Sequence, residues 1–382
     1  MINYGKQSID DKDIKALTST LQSDWLTQGP KLSEFENNLA EYCGSKYAIA
    51  VCNGTAALHL ANLVLSGKSN KNVITTPITF LATANSIIHA GGRPYFSDIN
   101  YGSFTLDPLH VQKLVQSNID FAGIIPVHLG GVVSDMEKFK TLANENDLWI
   151  IEDACHALGG RWIDSSGNLQ KVGNCAFSDL TTFSFHPVKH ITTGEGGAIT
   201  TNSKSLYEKL LILRSHGMIK NENILNDKHG KWYYEMHDMG YNYRMTDFQA
   251  SLGIEQLKKS DKWVRSRRDL VSKYDNAFEE IHQIKPQDHF DKDGESSYHL
   301  YIIQCEKRKE LYEFLSKNGV NTQVHYIPIH LQPYYKDKYG YKENDFPVAE
   351  EYYSKALSLP LYPSLKESDQ DRVISLIIDF YA

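Results

Sequence analysis

The sequence predicts an α/β chain, with a mostly parallel sheet covered by helices and a smaller α+β domain after it. Short apolar runs alternate with helical patterns from Ala48 to Ala154, the rhythm of right-handed βαβ units. After Asn202 that rhythm stops and a long charged helical stretch begins near Thr246. A chain of 382 residues, 41% of them hydrophobic, has apolar surface for a large core and a second, smaller one.

Two amphipathic helices lead the chain. Ile14, Leu17 and Leu21 stand at helical spacing between Asp10 and Gln22, and Leu32, Phe35, Leu39 and Tyr42 repeat the pattern after the "TQGP" break. Strand and helix then alternate: "AIAV" and "TAALHLANLVL", "NVITT" and "FLATANSIIHAG", "RPYFSDI" and "DPLHVQKLV", "FAGIIPV" and "DMEKFKTLANEN", and "LWIIEDA". The charged helix from Thr246 to Ile281 is expected to break near Lys262. The polar patch "KPQDHFDKDGESS" reads as a linker. Beyond it come a strand "HLYIIQ", a helix "KRKELYEFLSKNG", an extended "TQVHYIPIH", and helices near Val348 to Leu357 and Glu367 to Tyr381. The expected division is a large domain over residues 1–260, and over 261–382 a linking helix with the small C-terminal domain.

The formal charge of −7 comes with no basic stripe, which argues against a nucleic-acid partner. Five scattered cysteines without C-x-x-C spacing argue against a disulfide framework or a zinc site, so no metal is expected. The first residues, "MINYGKQSIDDKD", lack a cationic lead with an apolar stretch, and no segment has the ~18 apolar residues of a membrane span. A cytoplasmic protein is expected.

In open α/β sheets ligands lie beyond the carboxyl ends of the strands, so the residues after each run carry the functional information. A helix starting at Gly54-Thr55-Ala56 offers free N–H groups and a hydroxyl to a phosphate, although the same pattern serves as a plain N-cap. Asp153 follows "WIIE", where a carboxylate keeps a pyridine nitrogen protonated or simply caps a helix. Phe80 can stack on a flat ring or pack in a core. Lys189, between "FSFHPV" and "HITTGEGG", is a surface cation or an amine that condenses with an aldehyde once burial and nearby cations lower its pKa. Met together in that chain order, the four describe a site for pyridoxal 5′-phosphate with Lys189 as its covalent anchor. Gly194, Gly196 and Gly197 let the backbone turn tightly away from it.

These blocks, with "DWLTQGP", "EDACHALG", "RSHGM", "GYNYRMTDFQAS" and "QVHYIPIH", resemble the fold-type-I, DegT/StrS-type sugar aminotransferases over nearly the whole chain. The resemblance implies a mostly parallel seven-stranded sheet flanked by helices, pyridoxal 5′-phosphate as cofactor, and a homodimer. Within the family, "ITTPITFLATAN", "RSHGM" and "TQVHYIPIH" favour the branch of pseudaminic acid biosynthesis. By that likeness the substrate is a UDP-linked 4-keto-6-deoxy-N-acetylhexosamine and L-glutamate is the amino donor. Two alternatives stay open: another nucleotide-linked keto-sugar, of the GDP-perosamine or dTDP-sugar type, and a regulator that binds pyridoxal phosphate without transforming it.

Carried onto this sequence, the resemblance implies that Lys189 bonds the cofactor, Asp153 contacts the pyridine nitrogen and Phe80 lies over the ring, with His156 nearby. Gly54, Thr55, Ala56 and Ser184 would hold the phosphate or adjacent substrate groups, and Asn242, with Arg244 beside it, would reach the phosphate across a dimer interface. Tyr4, Asp24, Trp25, Leu26, Thr27, Gln323, Val324, His325 and Tyr326 would line the nucleotide-sugar pocket. Related proteins with histidine in place of the lysine dehydrate their sugars; this chain keeps the lysine, which favours amino transfer. It departs from the expected proline or small residue at the next position, where it has His190.

Overall fold

The computed structural model describes residues 1–66, 71–221, 223–227, 229–288 and 295–382. Seven strands form the central sheet: Tyr47–Val51 (β1), Asn72–Thr75 (β2), Arg93–Phe96 (β3), Phe121–Ile125 (β4), Trp149–Asp153 (β5), Leu180–Ser184 (β6) and Gly197–Thr201 (β7). Their order is β1-β7-β6-β5-β4-β2-β3. The run from β6 to β3 is parallel, whereas β7 is antiparallel to both β1 and β6. The cause of that exception is local: no crossover helix separates β6 from β7, and strands joined without a crossover pair antiparallel. Ser184 therefore faces Gly197 across the ladder, and the loop between them, which carries Lys189, projects from the carboxyl edge of the sheet.

The inner strands are buried on both faces, as in Val73, Ile74, Ile124, Ile125, Ile150 and Ile151, which explains their near-continuous apolar runs. Helices Gly54–Ser66 (α3), Leu81–His89 (α4), Pro108–Val115 (α5), Met136–Asn146 (α6) and Lys204–Arg214 (α7) accompany the sheet. Ahead of them, Asp11–Leu21 (α1) starts on an Asp10/Asp13 capping box. Pro30–Cys43 (α2) begins on proline and stops at the left-handed Gly44. Both pack on Asp247–Leu257 (α8). The approach is close, because a Cβ on Gly253 would stand 2.8 Å from the Phe35 ring.

The charged helix breaks earlier than the sequence suggests: α8 ends at Leu257 and Ser260–Phe278 (α9) follows, so the break is at Lys258-Lys259. Of the polar patch, residues 289–294 lie outside the described residues. Its last residues are not a solvated linker, since Ser296 and Ser297 are buried and their hydroxyls bond the carbonyls of Gly131 and His156.

The C-terminal part is built on an antiparallel sheet of Ile284–Pro286, Tyr301–Cys305 and Ala356–Leu359. The helix expected to run to Leu357 stops at Lys355. Its last residues become a strand instead, because pairing with Tyr301–Cys305 buries Ala356 to Leu359 completely. A helix over Pro333–Tyr339 was not foreseen. Val271, Tyr274 and Phe278 of α9 pack here against Ile303, Leu311, Leu315, Leu357, Val373 and Ile377. Ile2 joins this core and bridges Val320, which brings the N-terminus to the site. No helix among the described residues is long and apolar enough to cross a membrane.

Candidate active site

A cavity of about 700 Å³ opens at the carboxyl edge of the sheet, lined by Thr55, Phe80, Asp153, His156, Ser184 and Lys189 among others. That is the range of small-molecule sites. The side chains arrive from the carboxyl ends of four strands, one each after β1 and β2 and two each after β5 and β6, so the sheet fixes the geometry.

Beyond β1, Asn53 caps α3 by accepting the Ala56 N–H at Oδ1 (2.8 Å). This differs from the expectation for Ala56, which does not line the cavity; its amide already has a partner. Gly54 and Thr55 remain at the mouth with Ser184. Two glycines make the approach possible. A Cβ on Gly197 would meet Asn53 O at 2.5 Å and Gly54 N at 2.8 Å, and one on Gly54 would meet Ser184 Cβ at 2.9 Å. The start of α3 is thereby drawn onto the ends of β6 and β7, where its N–H groups and two hydroxyls suit a phosphate.

Beyond β2, Phe80 keeps 58% of its surface exposed while lining the cavity, as an aromatic meant to cover a flat ligand would. Thr83, one helical turn on, donates Oγ1–H to Asp153 Oδ2 (2.7 Å). The Cys155 N–H donates to Asp153 Oδ1 (3.2 Å). Asp153 is buried and held in one orientation by the two bonds.

His156 follows. The Gly130 N–H donates to its Nδ1 (3.3 Å), so the ring proton sits on Nε2, which donates to Tyr326 Oη (3.0 Å). Burial, then the charge of Lys189 with His325 and His190 beside it, holds its pKa well below the usual histidine value. The imidazole is neutral.

Lys189 stands in the β6–β7 loop, its N–H bonded to His186 O (2.9 Å). Burial lowers its pKa to about 8, and Cys155 and Asp153 act in the opposite direction. The nearby cations expected from the sequence are not among the causes; desolvation alone suffices.

Tyr4 and Gln323, Val324, His325 and Tyr326 form the outer wall. His325 is anchored by Ser358 Oγ (2.9 Å) and kept neutral, its pKa lowered to about 3 chiefly by burial. Tyr4 packs on it with ring centroids 5.4 Å apart. The other expected residues lie elsewhere. Asp24, Trp25, Leu26 and Thr27 occupy an exposed turn between α1 and α2, and Asn242 and Arg244 pair with Ser215 and Val51. None of these lines the cavity of its own chain. The two groups are neighbours, however, joined by the Thr27–Thr246 bridge.

Thr83, Cys155, Glu195, His299 and Gln332 also line the cavity without having been expected. Thr83 had a usable signal, a hydroxyl one turn after Phe80. His299 had none, because it opens the run "HLYIIQ", read as a strand of the C-terminal part far along the chain from the other site residues.

Taken together, the donors suit a phosphorylated pyridine aldehyde: amides and hydroxyls for the phosphate, an aromatic cover, a carboxylate for the ring nitrogen and an amine for the aldehyde. Among the described residues, Lys189 is the one Lys or Arg lining the cavity.

Comparison with known proteins gives the same direction. The chain is 40% identical over 379 residues to UDP-4-amino-4,6-dideoxy-N-acetyl-beta-L-altrosamine transaminase of Campylobacter jejuni subsp. jejuni serotype O:23/36 (strain 81-176), covering 97% of this chain and 94% of that one. It is 38% identical over 384 residues to spore coat polysaccharide biosynthesis protein SpsC of Bacillus subtilis (strain 168), covering 98% and 96%. The fold superposes on Helicobacter pylori PseC, an aminotransferase involved in the biosynthesis of pseudoaminic acid, with a TM-score of 0.91 and 31% identity, covering 100% of this chain and 99% of that one. Residues 7–378 match the profile of the DegT/DnrJ/EryC1/StrS aminotransferase family. The chain belongs to the DegT/DnrJ/EryC1/StrS aminotransferase family.

Proposed function

We propose that this chain transfers the amino group of L-glutamate to the 4-keto carbon of a UDP-linked 4-keto-6-deoxy-N-acetylhexosamine, with pyridoxal 5′-phosphate as cofactor, in pseudaminic acid biosynthesis. The observation that carries the reading is the convergence of Lys189, Asp153, Phe80 and the start of α3 on one cavity. The name of the 40%-identical relative supports the choice of sugar.

Pyridoxal phosphate, when bound, supplies an aldehyde to receive the amino group and a ring that draws electrons from the neighbouring carbon. Lys189 would hold the aldehyde carbon. Asp153 would keep the pyridine nitrogen protonated, Phe80 would cover the ring, and Thr55, Ser184 and the first turn of α3 would hold the phosphate. With a pKa of about 8, Lys189 released as a free amine takes a proton from the α-carbon of glutamate and returns one to C4 of the sugar. The face from which it delivers that proton sets the configuration of the product amine.

In this reading the active form is a homodimer, with Asn242, Arg244 and the turn Asp24 to Thr27 reaching the partner's cavity. Two features support it. Among the described residues, the cavity is lined by one lysine and no arginine, which is poor in cations for a phosphate and a nucleotide diphosphate. The chain also exposes Trp232, Tyr234, Met236 and Met239 close in sequence to Asn242, apolar surface of the kind partners cover.

The test is turnover with glutamate across UDP-, GDP- and dTDP-linked 4-keto-sugars, with product configuration assigned by NMR. Selective amination of the UDP sugar is expected. Amination confined to a GDP or dTDP sugar would overturn the substrate, and a cofactor absorbance band that glutamate fails to bleach would mark a binder instead of a catalyst.

A further inference from the structure

His190, the unexpected neighbour of Lys189, is buried and its Nε2 lies 3.1 Å from the Ser297 carbonyl oxygen. A carbonyl only accepts, so Nε2 carries the proton and donates. Ser297 belongs to a crossing segment, residues 296–300, that is held from four sides. Ser296 Oγ donates to Gly131 O (3.0 Å) and Ser297 Oγ to His156 O (3.2 Å). Arg267 Nη1 donates to the carbonyls of Tyr298 and His299, both at 3.2 Å, and the Leu300 N–H to Gly130 O (3.2 Å). The bond from His190 ties this segment to the lysine loop. Its result is a row of imidazoles that leads into the site, with His190 behind the wall 5.6 Å from His299 and His299 4.4 Å from His156, centroid to centroid.

We propose that His190 is a positioning residue for Lys189: its hydrogen bond to Ser297 locks His299 and the 296–300 segment against the lysine and covers the amine on that side. The proposal rests on Lys189 being the reacting amine. The titratable groups that line the cavity with this lysine are Asp153 and Cys155 at the end of β5, His156 in the next turn, His299 from the crossing segment, Tyr4, His325 and Tyr326 from the outer wall, and His186 and Glu195 in its own loop. Asp153 and Cys155 favour the ammonium form, and the neutral imidazoles do not, so burial is what keeps the amine free. Removing the bond from His190 lets the segment part from the loop, and solvent then stabilises the ammonium.

The experiment uses the intact chain without cofactor. Lys189 is acylated with a trace of acetic anhydride across a pH series and read by peptide mass spectrometry, with surface lysines of the same chain as the internal standard. Wild type should show a midpoint near pH 8. His190→Leu removes the donor, and His190→Asn keeps an amide too short to reach Ser297; both should raise the midpoint by about one unit and lower labelling at pH 7 about tenfold. His190→Gln, whose amide nitrogen falls where Nε2 was, should label like wild type. The Asn variant stands in if the Leu variant fails to fold. Wild-type labelling in Asn and Leu would overturn the proposal, and so would an equal shift in Gln, which would assign the effect to ring packing. Because neither cofactor nor sugar takes part, a wrong substrate would leave this result untouched.

Discussion

Thr83 Oγ1 lies 2.7 Å from Asp153 Oδ2, both side chains buried at the edge of the sheet, and Thr79 Oγ1 lies 2.8 Å behind it. Because the Thr83 proton goes to the carboxylate, Thr79 must be the donor to Thr83. This relay aims the carboxylate at the cavity. Thr83→Val keeps the shape and removes the donor, so it should lower stability by about 1–3 kcal/mol and weaken retention of pyridoxal phosphate. Urea unfolding and dialysis followed by absorbance check both, and no change in either would contradict the relay.

Gly197→Ala should be among the most damaging single-methyl additions in the chain. The new Cβ meets backbone at 2.5 Å on Asn53 and 2.8 Å on Gly54, atoms that cannot swing aside. A cost of about 1–3 kcal/mol follows from forced overpacking, together with a displaced start of α3 and weaker binding of inorganic phosphate. Calorimetry and phosphate titration test it; an unperturbed melting temperature would mean that the contact is easily relieved.

These two sites also mark what the sequence made legible. The four strand-end motifs were readable because a parallel sheet places its ligand beyond the carboxyl ends, so Thr55, Phe80, Asp153 and Lys189 could be read from position alone. The antiparallel β7 follows from the missing crossover helix between Ser184 and Gly197. His299 was hidden because it stands just before a strand of the C-terminal part, and the segment ahead of it, Ser296 and Ser297, is brought to the site by bonds to residues 107 to 165 positions away. The strand at Ala356 reads as helix locally, and pairing with Tyr301–Cys305 overrides that preference.

Acid should unfold the protein steeply. Burial is the main cause that holds His156, His190 and His299 well below the usual range, and His325 at about 3. The unfolded chain binds protons on these rings near pH 6.5 while the native state does not, so stability present above pH 6.5 is lost as the pH falls below it. Each ring removes about 1.4 kcal/mol between pH 7.5 and 5.5. Urea midpoints at the two pH values measure the sum, and His190→Gln should lessen the drop by one ring's share. Equal midpoints would contradict neutral burial.

Site sharing between subunits is open to complementation. Lys189→Ala and Asn242→Ala chains should each be inactive alone, whereas an equal mixture refolded together should regain about a quarter of wild-type activity, since half the molecules are mixed dimers with one complete site. No recovery would mean that a single chain supplies both residues of a site.

The central claim is a covalent bond between the Lys189 amine and an aldehyde cofactor. Borohydride reduction of the protein loaded with pyridoxal phosphate, followed by peptide mass spectrometry, tests it most directly. A phosphopyridoxyl adduct on the peptide that contains Lys189, absent from the Lys189→Ala protein, is the expected result. An unmodified Lys189, or an adduct on another lysine that persists in the Ala variant, would contradict the account.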